Sequence, residues 1–225
     1  MTLKGTRVFV IGLAVAFALQ SIQALAFGGD WTGLLGVGTG TELASFIEND
    51  LGPVYEWADV GHDGQISYAI ARDLSGQIVP PLLDHPGYRY RRILYPAASG
   101  LGGLLPPMPT LVGLIVLAAV GLAMSSVGVM IMARRLGLTR WTWLVVALLP
   151  GTWLSAQLLT TDSLALGLSL LGLAWWLDEK RVAGGVLLAL APLSKETYVL
   201  VGLVLAVWEL GSNRRRAAQL GLIVL

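Results

Sequence analysis

The chain has 225 residues, of which 55% are hydrophobic and only 13% charged, well below the roughly one quarter of charged residues usual in soluble domains. Fifteen Lys and Arg face fourteen Asp and Glu, so net charge points to no nucleic-acid or strongly acidic partner, and only the distribution of charge informs. There is no cysteine, which excludes disulfide frameworks and thiolate chemistry, and the two histidines, His62 and His85, argue against a histidine-rich zinc site.

Residues 8–27, VFVIGLAVAFALQSIQALAF, are long enough to cross the hydrocarbon core of a bilayer, which takes about 20 apolar residues. Lys4 and Arg7 before this segment and Ala24-Leu25-Ala26 at its end also suit a cleavable signal peptide, but the further apolar segments downstream favour a span. The first unit is therefore residues 1–27, with the next segment delivered outside the cytoplasm.

Residues 28–109 are polar and turn-rich, with GTGTE, ENDLGP, DLSG and LLPPMP as turn signals, and read as one large extracytoplasmic loop or small domain. In GHDGQISYAIARDL, a helix starting near Gly64 puts Ile66, Ala69, Ile70 and Leu74 on one face and Gln65, Tyr68 and Arg72 on the other. Such a helix suits a membrane surface, with Asp63 as its N-cap. The same carboxylate can instead accept a proton from a substrate hydroxyl, and Asp59, one turn upstream, competes for that role. Further on, DHPGYRYRRILYP alternates Arg89, Arg91 and Arg92 with two tyrosines. Arginine holds phosphate oxygens through a planar fork of donors and tyrosine favours the interface, so the stretch fits a lipid-linked phosphate or ordinary headgroup anchoring.

Residues 110–225 read as a transmembrane bundle with spans at 110–133, 141–159 and 163–177. Asp162, after Thr160-Thr161, is an N-cap candidate or a site residue. The stretch 182–209 is too long for an upright span and carries Lys195 and Glu196 near its middle. Pro192 favours a hairpin of two short helices whose SKE tip reaches the outer interface, with Glu196 neutralising Lys195. With a hairpin there, ten of the fifteen basic residues fall inside: Lys4, Arg7, Arg134, Arg135, Arg140, Lys180, Arg181 and Arg214 to Arg216. Asp59, Asp63, the loop arginines, Asp162, Lys195 and Glu196 then gather on the outer face. Trp141, Trp143, Trp153, Trp175, Trp176 and Trp208 lie near span ends, as an interfacial aromatic belt would. The chain stops at GLIVL, short of a full seventh span, so the sequence reads as a fragment or as one part of a larger bundle.

The order HDGQISYAIARDL, RYRRILYP, TTDSLAL and LAPLSKETYVLVGL resembles the GT-C class of integral membrane glycosyltransferases. It is most similar to the bacterial relatives of the GPI-anchor second mannosyltransferase family. The matching residues are Asp63-Gly64, Leu94-Tyr95-Pro96 and Ser194-Lys195-Glu196-Thr197, over residues 5–215. The resemblance implies an all-α polytopic membrane protein of a bacterial plasma membrane, with its N-terminus cytoplasmic and its site extracytoplasmic. It implies transfer of a sugar, with inversion, from a polyprenyl-phosphate donor to an acceptor hydroxyl. Asp63 or Asp59 would be the base, Arg89, Arg91, Arg92 and Lys195 would hold the lipid phosphate, and Gln65, Tyr68, Tyr95, Asp162 and Glu196 would face the site. Some members of the class use a divalent metal ion, for which His62 beside Asp63 supplies too few ligands. Family members are much longer than this chain. Two other classes stay open, a carrier or flippase-like protein and a non-enzymatic membrane subunit. Clustering of the unexplained polar residues on one face disfavours a carrier, whose site must be reached from both sides.

Overall fold

The computed structural model describes residues 3–58, 60–139 and 141–212. Among the described residues the protein is mostly helical with almost no strand. Helix α1 (Leu3–Ala26) leads into a compact loop region. There a short 3-10 turn (Trp31–Leu35) precedes β1 (Val37–Gly38), α2 (Glu42–Leu51), β2 (Glu56–Trp57), α3 (Asp63–Arg72), α4 (Pro86–Arg89) and α5 (Leu94–Ser99). The two-residue strands pair in parallel, Val37 with Glu56 and Gly38 with Trp57. The bundle continues with α6 (Pro107–Arg135), α7 (Leu144–Leu148), α8 (Pro150–Gln157), α9 (Thr161–Leu177), α10 (Arg181–Ser194) and α11 (Val199–Ser212).

Among the described residues two helices are long and apolar enough to cross a membrane, α1 and α6. With 24 and 29 residues they measure about 36 and about 43 Å at 1.5 Å per residue. Helix α6 is the central post, with α1, α9, α5 and α8 packed around it. Close backbone approach over small residues joins α6 to α9, a packing that also suits helices in lipid, where no hydrophobic drive acts between them. A Cβ on Gly121 would stand 2.3 Å from the Ser163 carbonyl oxygen, and one on Gly167 would stand 2.4 Å from that of Gly121. Ser163 donates to the Ala118 carbonyl at 2.6 Å across the same seam. Gln20, fully buried on α1, donates through Nε2 to the carbonyls of Ile115 at 3.1 Å and Ala156 at 3.0 Å, tying α1 to both α6 and α8.

Residues 182–209 do form a hairpin. Helix α10 contains Pro192 in its last turn and ends at Ser194, the backbone is extended at Lys195, and a 3-10 turn over Glu196–Tyr198 starts α11. The Trp176 indole N–H donates to Glu209 Oε1 at 2.9 Å, so α11 returns to the level of the α9 C-terminus. That bond satisfies the indole N–H of Trp176, buried against Leu188 and Leu205, whereas Trp208 is exposed, so the tryptophans do not form one uniform belt.

Three expectations need correction. The apolar stretch 141–159 is not one span: it is divided into α7 and α8 at Leu149, because Pro150 has no N–H to continue the ladder. Helix α3 does not lie on a surface. Residues Gly64, Gln65 and Ser67 to Ala71 are buried, and Leu74 lies beyond its end, so the loop region covers the face that the sequence assigns to solvent. The third concerns the cap: His62 is the N-cap residue and Asp63 the first helical residue, its carboxylate turned to arginines instead of backbone N–H groups. Asp59, Arg140, Arg214 to Arg216 and the GLIVL end lie outside the described residues.

Candidate functional site

The local backbone that positions Asp63 depends on glycine and on Gln65. Gly61 has φ +82°, and a Cβ there would stand 2.4 Å from the Gly36 carbonyl oxygen. Gln65 fixes this turn, accepting from the Gly38 N–H at 3.1 Å and donating to the Val60 carbonyl at 2.9 Å. A Cβ on Gly64 would meet the carbonyl oxygens of Leu158 and Leu35, each at 2.7 Å. The small residue after Asp63 thus lets the start of α3 reach the α8–α9 connection.

Asp63 lies in a row of alternating charge. Its Oδ1 accepts from Arg89 Nη1 at 2.9 Å and its Oδ2 from Arg92 Nη1 at 3.2 Å. Arg89 also grips both oxygens of Asp84, through Nε and Nη2, each at 2.9 Å. Arg92 grips Glu196, Nε to Oε2 at 2.9 Å and Nη2 to Oε1 at 3.0 Å. Tyr88 donates to Glu196 Oε1 at 2.7 Å, its hydroxyl accepts from Arg92 Nη2, and its ring lies 4.4 Å from the Arg92 guanidinium carbon. Lys195 turns away from Glu196 and pairs with Asp162, Nζ to Oδ2 at 2.6 Å.

Fork-shaped pairing accounts for the acidities. The Arg89 guanidinium, against a partial penalty of burial, holds Asp84 at about 2. Arg92 likewise holds Glu196 at about 2, burial opposing and the Tyr88 hydroxyl assisting. Arg89 is raised in turn, chiefly by Asp84. Burial lowers Arg92, but Glu196, Tyr88 and Asp63 together outweigh it and the net direction is up. Tyr198 is pushed up to about 12 by burial and by nearby Asp162.

Two cavities flank this row. One of about 360 Å³ is lined by loop residues, among them Thr41, His62, Asp63, Leu83, Asp84 and Arg89. The other, of about 380 Å³, lies where α7 and α8 part, against Leu149, Thr152, Asp162, Leu166 and Tyr198. The first is rich in hydrogen-bonding groups, and the second has leucine and tyrosine walls beside a single ion pair.

The structure therefore brings together Asp63, Arg89, Arg92 and Glu196, with the Lys195–Asp162 pair adjoining through the chain at residues 195–196. The other predicted residues serve mainly the frame around it. Arg91 is exposed and, among the described residues, joins no ion pair. Tyr95 is fully buried and donates to the Leu114 carbonyl at 2.8 Å, which anchors α5 to α6. Tyr68, also fully buried, donates to Asp50 at 2.7 Å beside the Arg72–Asp50 pair. Gln65 braces the Gly61 turn and contributes to the wall of the loop cavity. Glu196 serves Arg92 and not Lys195, and Asp162 is the counter-ion of Lys195 while Thr160 holds the cap position of α9. Asp84 and Tyr88 are site members that sequence reasoning passed over. The one available signal was Asp84 five residues before Arg89 across Pro86, a turn short enough for both side chains to meet.

Both carboxylate oxygens of Asp63 face guanidinium groups, and among the described residues no three His, Cys, Asp or Glu side chains gather as metal ligands. The donor set does not fit a divalent ion. No family model matches the chain, and no curated protein or solved structure is significantly similar to it.

Proposed function

We propose that the protein is a polytopic membrane glycosyltransferase of GT-C-like architecture. In this reading it moves a sugar, mannose in the nearest resemblance, from a polyprenyl-phosphate donor to an acceptor hydroxyl outside the cytoplasm of a bacterium. The observation that carries it is the meeting of Asp63, Arg89, Arg92, Glu196, Lys195 and Asp162 beside two cavities, from segments up to 133 residues apart (63 to 196) at one end of an apolar bundle. Basic residues at the other end support the orientation: Arg134, Arg135 and Lys180 share a cavity with Gly5 near the N-terminus.

The donor's lipid enters by the apolar cavity near Leu149 and Leu166, and its phosphate exchanges with the carboxylates that hold Arg92 and Lys195. The acceptor approaches through the loop cavity. Each Asp63 oxygen accepts one guanidinium and keeps a second lone-pair direction, so the carboxylate can take the acceptor proton. The acceptor oxygen attacks the anomeric carbon from the face opposite the phosphate. The carbon–phosphate-oxygen bond breaks with its electron pair going to the lipid phosphate, whose growing charge Arg92, Arg89 and Lys195 offset.

The test is transfer of radiolabelled mannose from polyprenyl-phosphate mannose in membranes holding the full chain. Asp63→Asn should lower transfer at least ~100-fold at equal expression, the smaller end of what a positioned general base contributes. Unchanged transfer would move the base to Asp59, and absence of transfer by both proteins would remove the enzyme reading.

A further inference from the structure

The end of the bundle opposite Asp63 has a cavity that the proposed reaction does not use. It measures about 240 Å³ and lies between the start of α1 at Gly5, the last two turns of α6 and the α9–α10 turn. Its walls divide by chemistry. Val127, Met130, Ile131 and Trp175 make an apolar side, while Arg134, Arg135, Lys180 and Asp178 make the rim. Three cations against one carboxylate leave a surplus of two positive charges.

These cations differ in how far they are satisfied. Arg135 pairs with Asp178 at 2.9 Å. Arg134, by contrast, has among the described residues only the Met130 sulfur as a side-chain partner, Nη2 to Sδ at 3.1 Å. Sulfur is a weak acceptor, so most of the five guanidinium donors of Arg134 stay available. The Lys180 ammonium lies 6.0 Å from the Trp175 ring centre, at the outer limit of a cation–π contact, with no carboxylate paired to it among the described residues. Part of the role of Arg134 and Arg135 is general: cations in the last turn of α6 complement its dipole. That accounts for their charge and not for a rimmed cavity with an apolar wall.

We propose that this cavity is a binding site for a phosphate monoanion or diester, Arg134 and Lys180 holding the phosphate oxygens, with an anionic glycerophospholipid as its source. Guanidinium forks match phosphate oxygens, and basic pockets between membrane helices on the positive side take anionic headgroups. The apolar wall runs down α6 from Met130 and Ile131 to Val127, in the direction an acyl chain would follow into the bilayer. The inference rests on α1 and α6 crossing a membrane and is independent of any transferase activity.

The test uses the full chain in phosphatidylcholine nanodiscs, with brominated lipids as quenchers of tryptophan fluorescence. Each cation near an anionic surface gives roughly a fivefold preference, so brominated phosphatidylglycerol should quench Trp175 at a mole fraction at least ~5-fold lower than brominated phosphatidylcholine does. The preference should vanish in Trp175→Phe, which removes the reporter, and in Arg134→Gln/Lys180→Gln. Arg134→Lys/Lys180→Arg, which keeps both charges, should retain it and so separate charge loss from misfolding. A parallel arm adds inorganic phosphate in the absence of phosphatidylglycerol and follows thermal unfolding. Stabilisation equal to that by phosphatidylglycerol would keep the phosphate seat and overturn the lipid as its source. Equal quenching by the two lipids, or a preference that survives loss of both cations, would overturn the site.

Discussion

Glu196→Gln isolates the contact that joins the loop region to the α10–α11 hairpin. In the wild type the Glu196 carboxylate accepts from Nε and Nη2 of Arg92 and from the Tyr88 hydroxyl, and its acidity is set at about 2 against an ordinary 4.5. That interval corresponds to ~3 kcal/mol of preference for the ionised form in the folded protein. The Glu196 side chain is 31% exposed, so solvent screens the pair and ~1–2 kcal/mol is the expected contribution to stability. Because the folded-state value is depressed, this contribution is complete above pH 4.5 and fades as pH falls toward 2. Thermal unfolding in detergent, comparing wild type with Glu196→Gln from pH 7 to pH 2, reads both features. The variant should be less stable at pH 7 and approach the wild type near pH 2. A double-mutant cycle with Arg92→Gln should assign most of the loss to this pair. A deficit that stays constant down to pH 2, or a coupling near zero, would refute the reasoning.

Other substitutions test the frame around the site. Tyr95→Phe removes one buried hydrogen bond, to the Leu114 carbonyl, and should cost ~1 kcal/mol in unfolding experiments while leaving the proposed sugar transfer unchanged. Altered transfer at wild-type stability would return Tyr95 to the site. Gly121→Ala puts a methyl group 2.3 Å from the Ser163 carbonyl oxygen and should cost ~1–3 kcal/mol by forcing α6 from α9, measurable as a lower unfolding temperature. An unchanged unfolding temperature would mean that the seam is looser than the structure shows. Asp84→Asn frees two arms of Arg89 and should raise the KM for acceptor more than it lowers kcat, because Asp84 lines the loop cavity without touching Asp63. An equal fall in kcat and kcat/KM would put Asp84 in the chemical step instead.

Residue composition and run length by themselves determined that this chain is mostly helical and has two segments long and apolar enough to cross a membrane. They located α1 and α6 within a few residues, since twenty or more apolar residues in a row leave a chain few other ways to satisfy its backbone. Pro192 and the SKE polarity likewise announced a break at residue 195, because both signals are local. The partners of the charges were not local. Glu196 stands beside Lys195 in sequence, yet it pairs with Arg92, 104 residues away, and Lys195 takes Asp162. Only tertiary packing decides which of two neighbouring side chains points to which wall. The burial of α3 was hidden for a related reason. Periodicity reports a solvent face when polar residues share it, but Gln65 and Tyr68 spend their polarity on Val60, Gly38 and Asp50 inside the fold. The division at Leu149–Pro150 and the cavity beside it also appeared only in three dimensions. Hydropathy sums side-chain preference along a window, and one missing N–H in that window changes the geometry without changing the sum.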